Sequence, residues 1–366
     1  MNAMSDPALY RHLDEMTPWN DRLQVLEVIG VVDEAPDVKT FAFRSDAQTW
    51  FRYKPGQFVT LELPTPDCPL LRTYTLSSSP SRPFSIAVTV KAQAGSTGTR
   101  WMFDNLVPGS RLKAFGPVGN FSHHDHPAAK YLFISAGSGI TPMMSMLRWL
   151  NDCAPWTDVA FVNCARSADE IIFRKELELL GSRMPGLSLG FMIEERSSRE
   201  SWFGHMGRID AVRLPLLAPD FRDREIFCCG PDPFMRAVRD MLQAAGFDMA
   251  HYHQESFGAP VAEVSPITTA PGDEEAEGST AFAISFVGSN VDGRCAADQT
   301  VLQAARANGV RISAACEFGL CGTCRVRKIS GEVAMSHNGG ILDDEIAEGY
   351  ILACCSRPLS ELELEA

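Results

Sequence analysis

The sequence predicts a multidomain chain of three units in series: an antiparallel β-barrel, an α/β unit with a parallel sheet, and a small α+β unit. Three observations carry that prediction. From about Leu23 to His126, short runs such as Phe58–Leu63 and 84–90 alternate apolar and polar residues between Gly/Pro punctuation, the pattern of antiparallel strands with one buried face. From Lys130 to about Glu255, apolar runs at 131–134, 159–163 and 226–228 alternate with helical runs at 142–151, 169–180 and 233–245, which is the signature of a parallel sheet. Beyond a Pro-, Gly- and acid-rich stretch at 258–280 with no apolar period, a strand, a second short strand, a helix and a cysteine loop follow in that order. The unpatterned stretch reads as a flexible linker. The boundaries are therefore an N-terminal extension 1–22, a barrel 23–126, an α/β unit 127–257, the linker, and a last unit 281–366.

In the barrel, the informative run is Leu71-Arg72-Thr73-Tyr74-Thr75-Leu76. A flavin needs a cation for its phosphate, a flat face for its ring and a hydrogen-bonding group near N5. Arg72, Tyr74 and Thr75 supply these in order, and alternation puts Arg72 and Tyr74 on one face of a strand. Upstream stands Lys54-Pro55-Gly56-Gln57-Phe58. Downstream, Gly95-Ser96-Thr97-Gly98-Thr99-Arg100-Trp101 has the small residues of a phosphate cradle at a helix start.

In the α/β unit, the strand at 131–134 runs into Ser135-Ala136-Gly137-Ser138-Gly139-Ile140-Thr141-Pro142. Two glycines between a strand and a helix, with Pro near the helix start, make a nucleotide-binding turn. A later strand ends in Cys228-Cys229-Gly230-Pro231, at the carboxyl end where ligands bind in open sheets. Cys228 reads as core and Cys229 as a thiol beside the nucleotide. Arg166 and Ser167 leave open a site for a 2′-phosphate.

In the last unit, a turn is expected at 290–293 and a helix starting near Thr300, with Asp298 or Thr300 as its N-cap. Cys316, Cys321 and Cys324 leave four and then two residues between thiols, and Cys354 follows after twenty-nine more. That spacing reads as a plant-type [2Fe–2S] site rather than zinc knuckles or a disulfide set. Gly319 and Gly322 let backbone amides turn toward the sulfurs, and Thr323 adds a hydroxyl. Cys354 and Cys355 are adjacent; the resemblance to plant-type ferredoxins, whose last ligand closes an apolar strand four residues before a Pro, implies Cys354, with Pro358 beyond it, as the fourth ligand.

Composition bounds the rest. The chain has 366 residues, 45% of them apolar, and a formal charge of −13 from 33 Lys+Arg against 46 Asp+Glu. Such a balance argues against nucleic acid and anionic membranes as partners. The N-terminal residues lack the apolar core of a secretory signal, and no stretch is long and apolar enough for a membrane span, so a cytoplasmic location is expected. Eleven cysteines in that setting point to reduced thiols and metal binding. His123, His124 and His126 read as loop histidines rather than a metal site, Met143, Met144 and Met146 as core packing, and Asp343, Asp344 and Glu345 as a solvated turn.

Taken together, Arg72-Thr-Tyr-Thr75, Gly137-Ser-Gly-Ile-Thr-Pro142, Cys229-Gly-Pro231 and the four spaced cysteines resemble the ferredoxin–NADP reductase superfamily fused to a C-terminal β-grasp [2Fe–2S] ferredoxin. More closely, the order is similar to reductase components of Rieske-type oxygenases, in particular the glycine betaine demethylase type. The resemblance implies Arg72, Tyr74 and Thr75 as flavin contacts, and Gly98 and Thr99 at its phosphates. It implies Gly137, Gly139, Thr141, Cys229 and Gly230 at the nicotinamide nucleotide, and Glu255 and Phe257 near the flavin. Thr75 and Cys229 are the catalytic candidates. FAD is the expected flavin, with FMN left open because the cradle reads Gly98-Thr99-Arg100-Trp101 where relatives often have Val-Ser-Asn-Trp. NADH is the expected donor, with NADPH left open, and a terminal oxygenase protein docking around 317–320 the expected acceptor. A reductase for another metalloprotein, such as a hybrid-cluster protein, a diaphorase acting on small acceptors, and a redox-sensing module are the competing readings.

Overall fold

A computed structural model of the chain describes residues 17–19, 24–45, 49–65, 69–92, 95–257, 281–312, 314, 319, 324–337, 341 and 343–366. The linker 258–280, Cys316, Cys321, Gly322, Thr323 and the expected docking loop other than Gly319 lie outside the described residues, as does the N-terminal extension other than Thr17–Trp19. The chain divides into two compact units, Met1–Phe257 and Gly258–Ala366, and each is described by itself.

The barrel of the first unit has six antiparallel strands: β1 (Gln24–Ala35), β2 (Val38–Ser45), β3 (Phe58–Leu63), β4 (Leu70–Thr75), β5 (Ile86–Lys91) and β6 (Arg111–Val118). They lie in the order β4-β3-β6-β1-β2-β5, and a single bridge between Leu76 and Val88 links the two edges, curling the sheet into a barrel. Alternation does the work the sequence promised. Leu26, Val28, Phe41, Phe43, Val59, Leu61 and Leu63 all turn inward and are fully buried. Helix α1 (Thr97–Asn105) covers one end, with Ser96 capping it by accepting the Thr99 N–H.

Five parallel strands follow: β7 (Lys130–Ala136), β8 (Asp158–Ala165), β9 (Leu187–Ile193), β10 (Glu225–Cys229) and β11 (Tyr252–Glu255). With the two-residue strand His205–Met206 at one edge, the order is β9-β8-β7-β10-β11. The chain winds outward from β7 through β8 and β9, then returns to the other side of β7 as β10. The topological switch therefore falls between β7 and β10, and open parallel sheets hold ligands at that point, beyond the carboxyl ends of the strands. Helices α2 (Ile140–Cys153), α3 (Arg174–Arg183) and α4 (Asp232–Ala244) pack on its faces, and Met143, Met144 and Met146 are core residues of α2, as expected. The helix expected over 169–180 starts later. Ile171, Ile172 and Phe173 are consecutive and all buried, which no single helical face allows. The backbone instead takes a short 3-10 turn at Ala168–Glu170 and a left-handed residue at Phe173 (φ 59°) before α3 begins.

The barrel and the parallel sheet are tied together through α2. Ser145 Oγ donates to the Ser78 carbonyl at 2.6 Å, and Arg148 donates to the Ser77 carbonyl while forking onto Glu176 at 2.7 and 2.6 Å. Ser81 and Arg82 bind Asp152 from the same barrel segment. The residues just past β4 are thus fixed to the helix that follows the glycine turn.

The second unit comprises β12 (Ala281–Phe286), β13 (Val291–Ala296), α5 (Val301–Ala307), β14 (Arg325–Ser330), β15 (Tyr350–Leu352) and β16 (Leu362–Glu365). The order β13-β12-β16-β14-β15 has one parallel pair, β12 with β16, at its centre, as in a β-grasp. Thr300 rather than Asp298 is the N-cap, in a capping box with Gln303, an arrangement whose loss typically costs about 1 kcal/mol. The hairpin turn falls at 287–290 rather than 290–293. Asn290 takes the left-handed conformation (φ 52°), so Val291 already pairs with Phe286.

Candidate functional site

The barrel contribution is built on β4. Arg72 and Tyr74 alternate onto one face, paired with Leu61 and Val59 of β3, and Thr75 is buried opposite Phe58. A Cβ built on Gly98 would stand 3.3 Å from the Arg72 Cγ and 3.1 Å from Leu70. The first turn of α1, with Gly98 and Thr99, therefore lies directly on the stem of Arg72. No acidic residue occupies that first turn, so helix-start amides and a guanidinium share one location, the chemistry of a phosphate cradle. The Tyr74 hydroxyl is buried with no hydrogen-bond partner, and burial holds its phenol well above the ordinary value. An orphaned buried hydroxyl in that position suits a bound polar ligand.

At the switch point, the turn after β7 meets the end of β10. A Cβ on Gly139 would fall 2.2 Å from the Cys229 carbonyl oxygen and 2.6 Å from the Gly230 nitrogen, and one on Gly230 would press on Phe234 and Ala136. The two glycine segments, ninety residues apart in sequence, are packed backbone to backbone. Thr141 closes the turn by donating to the Ser138 carbonyl at 3.0 Å. Gly137 lies at the opening of the same turn.

Strand register adds Ser135 and Asn163, which sequence reasoning missed, to the expected Cys229 and Glu255. Asn163, Ser135, Cys229 and Glu255 stand side by side across β8, β7, β10 and β11, so all four point to one face. All are buried. Asn163 donates to Ser135 Oγ at 3.0 Å, while its own carbonyl oxygen and both Glu255 oxygens have no partner. The available signal was a polar residue ending each of two apolar runs. Burial pushes the Glu255 carboxyl up to about 8, and burial followed by the nearby Glu255 pushes the Cys229 thiol well above its ordinary value. At neutral pH this wall is therefore predominantly uncharged. Phe257, by contrast, is exposed at the end of the unit, and its neighbour Ser256 donates to Asp232.

Glu255 makes a measurable prediction. Its folded pKa lies above the unfolded value near 4.5, so the folded state keeps the proton that the unfolded state has lost, and stability falls as pH rises from about 4.5 to 8. Glu255→Gln should remove a slope approaching about 1.4 kcal/mol per pH unit in that window. Denaturant melts of both proteins at pH 5, 6, 7 and 8 read it directly; parallel pH profiles would contradict it.

In the second unit, Cys324 and Cys354 are buried together. The Gly319 N–H donates to Cys354 Sγ at 3.2 Å, and the Cys354 N–H to Cys324 Sγ at 3.4 Å. Amide donors to sulfur lower the cost of thiolate charge, so these residues fit an iron–sulfur cluster. Gly319 has φ 74°, and a Cβ there would meet Cys355 Sγ at 2.7 Å and the His337 backbone at 2.8 Å. Cys355 Sγ faces the Leu352 carbonyl of its own turn. Asp343–Ala347 is a short helix rather than a turn, and Glu345 pairs with Arg325.

Comparison with known proteins agrees with this geometry. Residues 26–123 match the oxidoreductase FAD-binding domain, 133–240 the oxidoreductase NAD-binding domain, and 285–359 the 2Fe-2S iron-sulfur cluster binding domain. Fold and crevice thus define an electron-transferring oxidoreductase with NAD-, FAD- and [2Fe–2S]-binding modules. The stachydrine N-demethylase reductase subunit of Rhizobium meliloti is 52% identical over 96% of this chain and 99% of its own length. The glycine betaine monooxygenase reductase subunit of Pseudomonas aeruginosa is 44% identical over 95% and 96%. Phthalate dioxygenase reductase shares the fold at 23% identity, with a TM-score of 0.59 over 94% of this chain and 98% of that one. The chain belongs to the family of reductase components of oxygenase systems. Among the described residues, no helix is long and apolar enough to cross a membrane.

Proposed function

We propose that this chain takes electrons from NADH and delivers them to a terminal Rieske-type oxygenase that demethylates a quaternary ammonium compound of the glycine betaine or stachydrine kind. The observation that carries the reading is the backbone contact of Gly139 with Cys229–Gly230 at the switch point, with α2 tying that turn to the end of β4. The acceptor class rests on the relatives at 52% and 44% identity.

Arg72, Gly98 and Thr99 hold the FAD phosphates, Tyr74 backs the ring, and Thr75 offers a hydroxyl that tunes it. Gly137, Gly139 and Thr141 shape the nucleotide turn; Cys229, Gly230 and Glu255 wall the nicotinamide, with Phe257 at the edge. Cys316, Cys321, Cys324 and Cys354 hold the cluster. Bound there, FAD supplies hydride acceptance from NADH and one-electron release to the [2Fe–2S] centre. The protein's part is orientation and exclusion of water. Preference for NADH over NADPH is supported at the end of β8. There Ser167 donates its hydroxyl to Asp169 at 2.8 Å, so that donor is already engaged within the loop and is not offered to a 2′-phosphate. The units run 23–126, 127–257 and 281–366, joined by the linker, and the protein works in the cytoplasm.

The test is anaerobic titration with NADH and separately NADPH, following flavin absorbance and the reduced cluster by EPR. A second stage adds an oxygenase component with glycine betaine or stachydrine as substrate. Bleaching by NADH, then a [2Fe–2S] signal, then substrate demethylation is the expected sequence. A cluster that stays oxidised while flavin bleaches would sink the relay; reduction without delivery to either oxygenase would sink the acceptor assignment.

A further inference from the structure

At the opposite end of the parallel sheet from the nucleotide crevice lies a second group of chemically capable side chains. Glu225 begins β10 four residues before Cys229, about 13 Å along the strand, and His253 stands two residues before Glu255, about 7 Å along its own. His253 stands on neighbouring β11, and His126 comes from the connector between barrel and sheet. One donor atom from each of these three residues lies within 4.8 Å of the other two. The imidazoles of His126 and His253 stack at 3.7 Å between centroids and 26° between planes, and His253 Nε2 is 2.5 Å from Glu225 Oε1. Three elements far apart in sequence thus bring nitrogen and oxygen donors within 4.8 Å of one another.

The surroundings hold those donors in place. His251 Nδ1 lies 2.8 Å from Glu225 Oε2, gripping the second oxygen of the same carboxylate. Tyr131 pins the connector on both sides of His126, donating to the His126 carbonyl and accepting the Ala128 N–H. The ring of Phe227 flanks both His126 and His253, giving the group an apolar wall on one side, while His126 is only half-buried. His123 and His124 take no part, packing instead on Trp149.

We propose that His126, Glu225 and His253 form a site for a divalent first-row metal ion, zinc foremost. Two imidazoles and one carboxylate, with an outward fourth position for water, is a donor set zinc accepts. Donors around a tetrahedral zinc stand about 3.4 Å apart at bond lengths of about 2.1 Å, so rotation of side chains closes the triad on the ion. His251 orients the ligating carboxylate from outside, the role that outer partners play in such sites. The ion staples the connector onto the edge of the sheet, fixing the joint between barrel and parallel sheet without touching the nucleotide crevice. On this proposal His126 is a ligand and not a plain loop histidine; its partners lie about a hundred residues away in sequence, beyond the reach of any local spacing rule.

The experiment uses the full chain with flavin and cluster in place, dialysed against a mild chelator and checked for unchanged iron and flavin content. Zinc chloride is titrated calorimetrically, and cobalt(II) is followed by its visible absorption. One ion per chain is expected, bound through nitrogen and oxygen without a thiolate-to-cobalt charge-transfer band. His126→Ala, a substitution in a connector, should weaken binding more than about 10-fold, and His251→Ala by about 10- to 100-fold. His205→Ala, on an exposed two-residue strand, should leave it unchanged. Failure to saturate at one ion, equal affinity in His126→Ala, or a thiolate band would each overturn the proposal.

Discussion

Cys354→Ser should yield a chain that still bleaches its flavin with NADH and still reduces ferricyanide, yet passes electrons to a one-electron protein acceptor such as cytochrome c at least on the order of 100-fold more slowly. The reasoning starts from the pair of N–H···S bonds. Cys354 Sγ accepts the Gly319 amide, and the Cys354 amide in turn donates to Cys324 Sγ, so this residue lies inside the sulfur-facing backbone of the loop. Cys355, one position on, turns its sulfur toward the Leu352 carbonyl. Its replacement by serine should leave iron content and cytochrome c reduction within about 3-fold of the parent, the loss being that of one partly buried thiol. Iron analysis and both acceptor assays on the two variants decide between the adjacent cysteines. Equal loss of iron from both would refute the assignment.

Gly139→Ala should reduce NADH-dependent ferricyanide reduction by on the order of 100-fold, because a displacement of about 1 Å at a positioning element costs that much. The added methyl would fall 2.2 Å from the Cys229 carbonyl oxygen and 2.4 Å from its carbon. Neither partner is a flexible side chain, so the turn and the end of β10 must separate. Overpacking of this kind costs about 1–3 kcal/mol, occasionally more. Gly137→Ala is the control. Gly137 sits at φ 54° with nothing within 4 Å of its would-be Cβ, so alanine there meets backbone strain of roughly 1–2 kcal/mol and no collision. Retained flavin in both variants confirms folded barrels, and KM for NADH then separates a damaged nucleotide turn from a merely strained one. A Gly139→Ala enzyme with the parent's KM and rate would contradict the close packing at the switch point.

Much of this was legible in the residues themselves. Period-2 alternation in 58–63 and period-free apolar runs in 131–134 and 159–163 report burial on one face or both, and burial is what distinguishes a curled antiparallel sheet from a covered parallel one. The spacing of Cys316, Cys321 and Cys324 is equally local, since the cluster loop must present those three thiols within a few residues. Where local rules failed, long-range burial had won. Ile171, Ile172 and Phe173 are drawn together into the core and delay α3 to Arg174, and a left-handed Asn290 shortens the turn before β13.

What the sequence determined by itself was the order of three units and the kind of group each is built to hold, because strand period, glycine turns and thiol spacing are properties of neighbouring residues. Only the tertiary structure decided which distant residues share a site. The row Asn163–Ser135–Cys229–Glu255 exists because four strands align in register. Contact of Gly139 with Cys229 exists because the winding reverses between β7 and β10, and the grouping of His126 with Glu225 and His253 because a connector crosses the start of two strands. Register and crossover are settled by packing across the whole sheet, and no local window of sequence carries them.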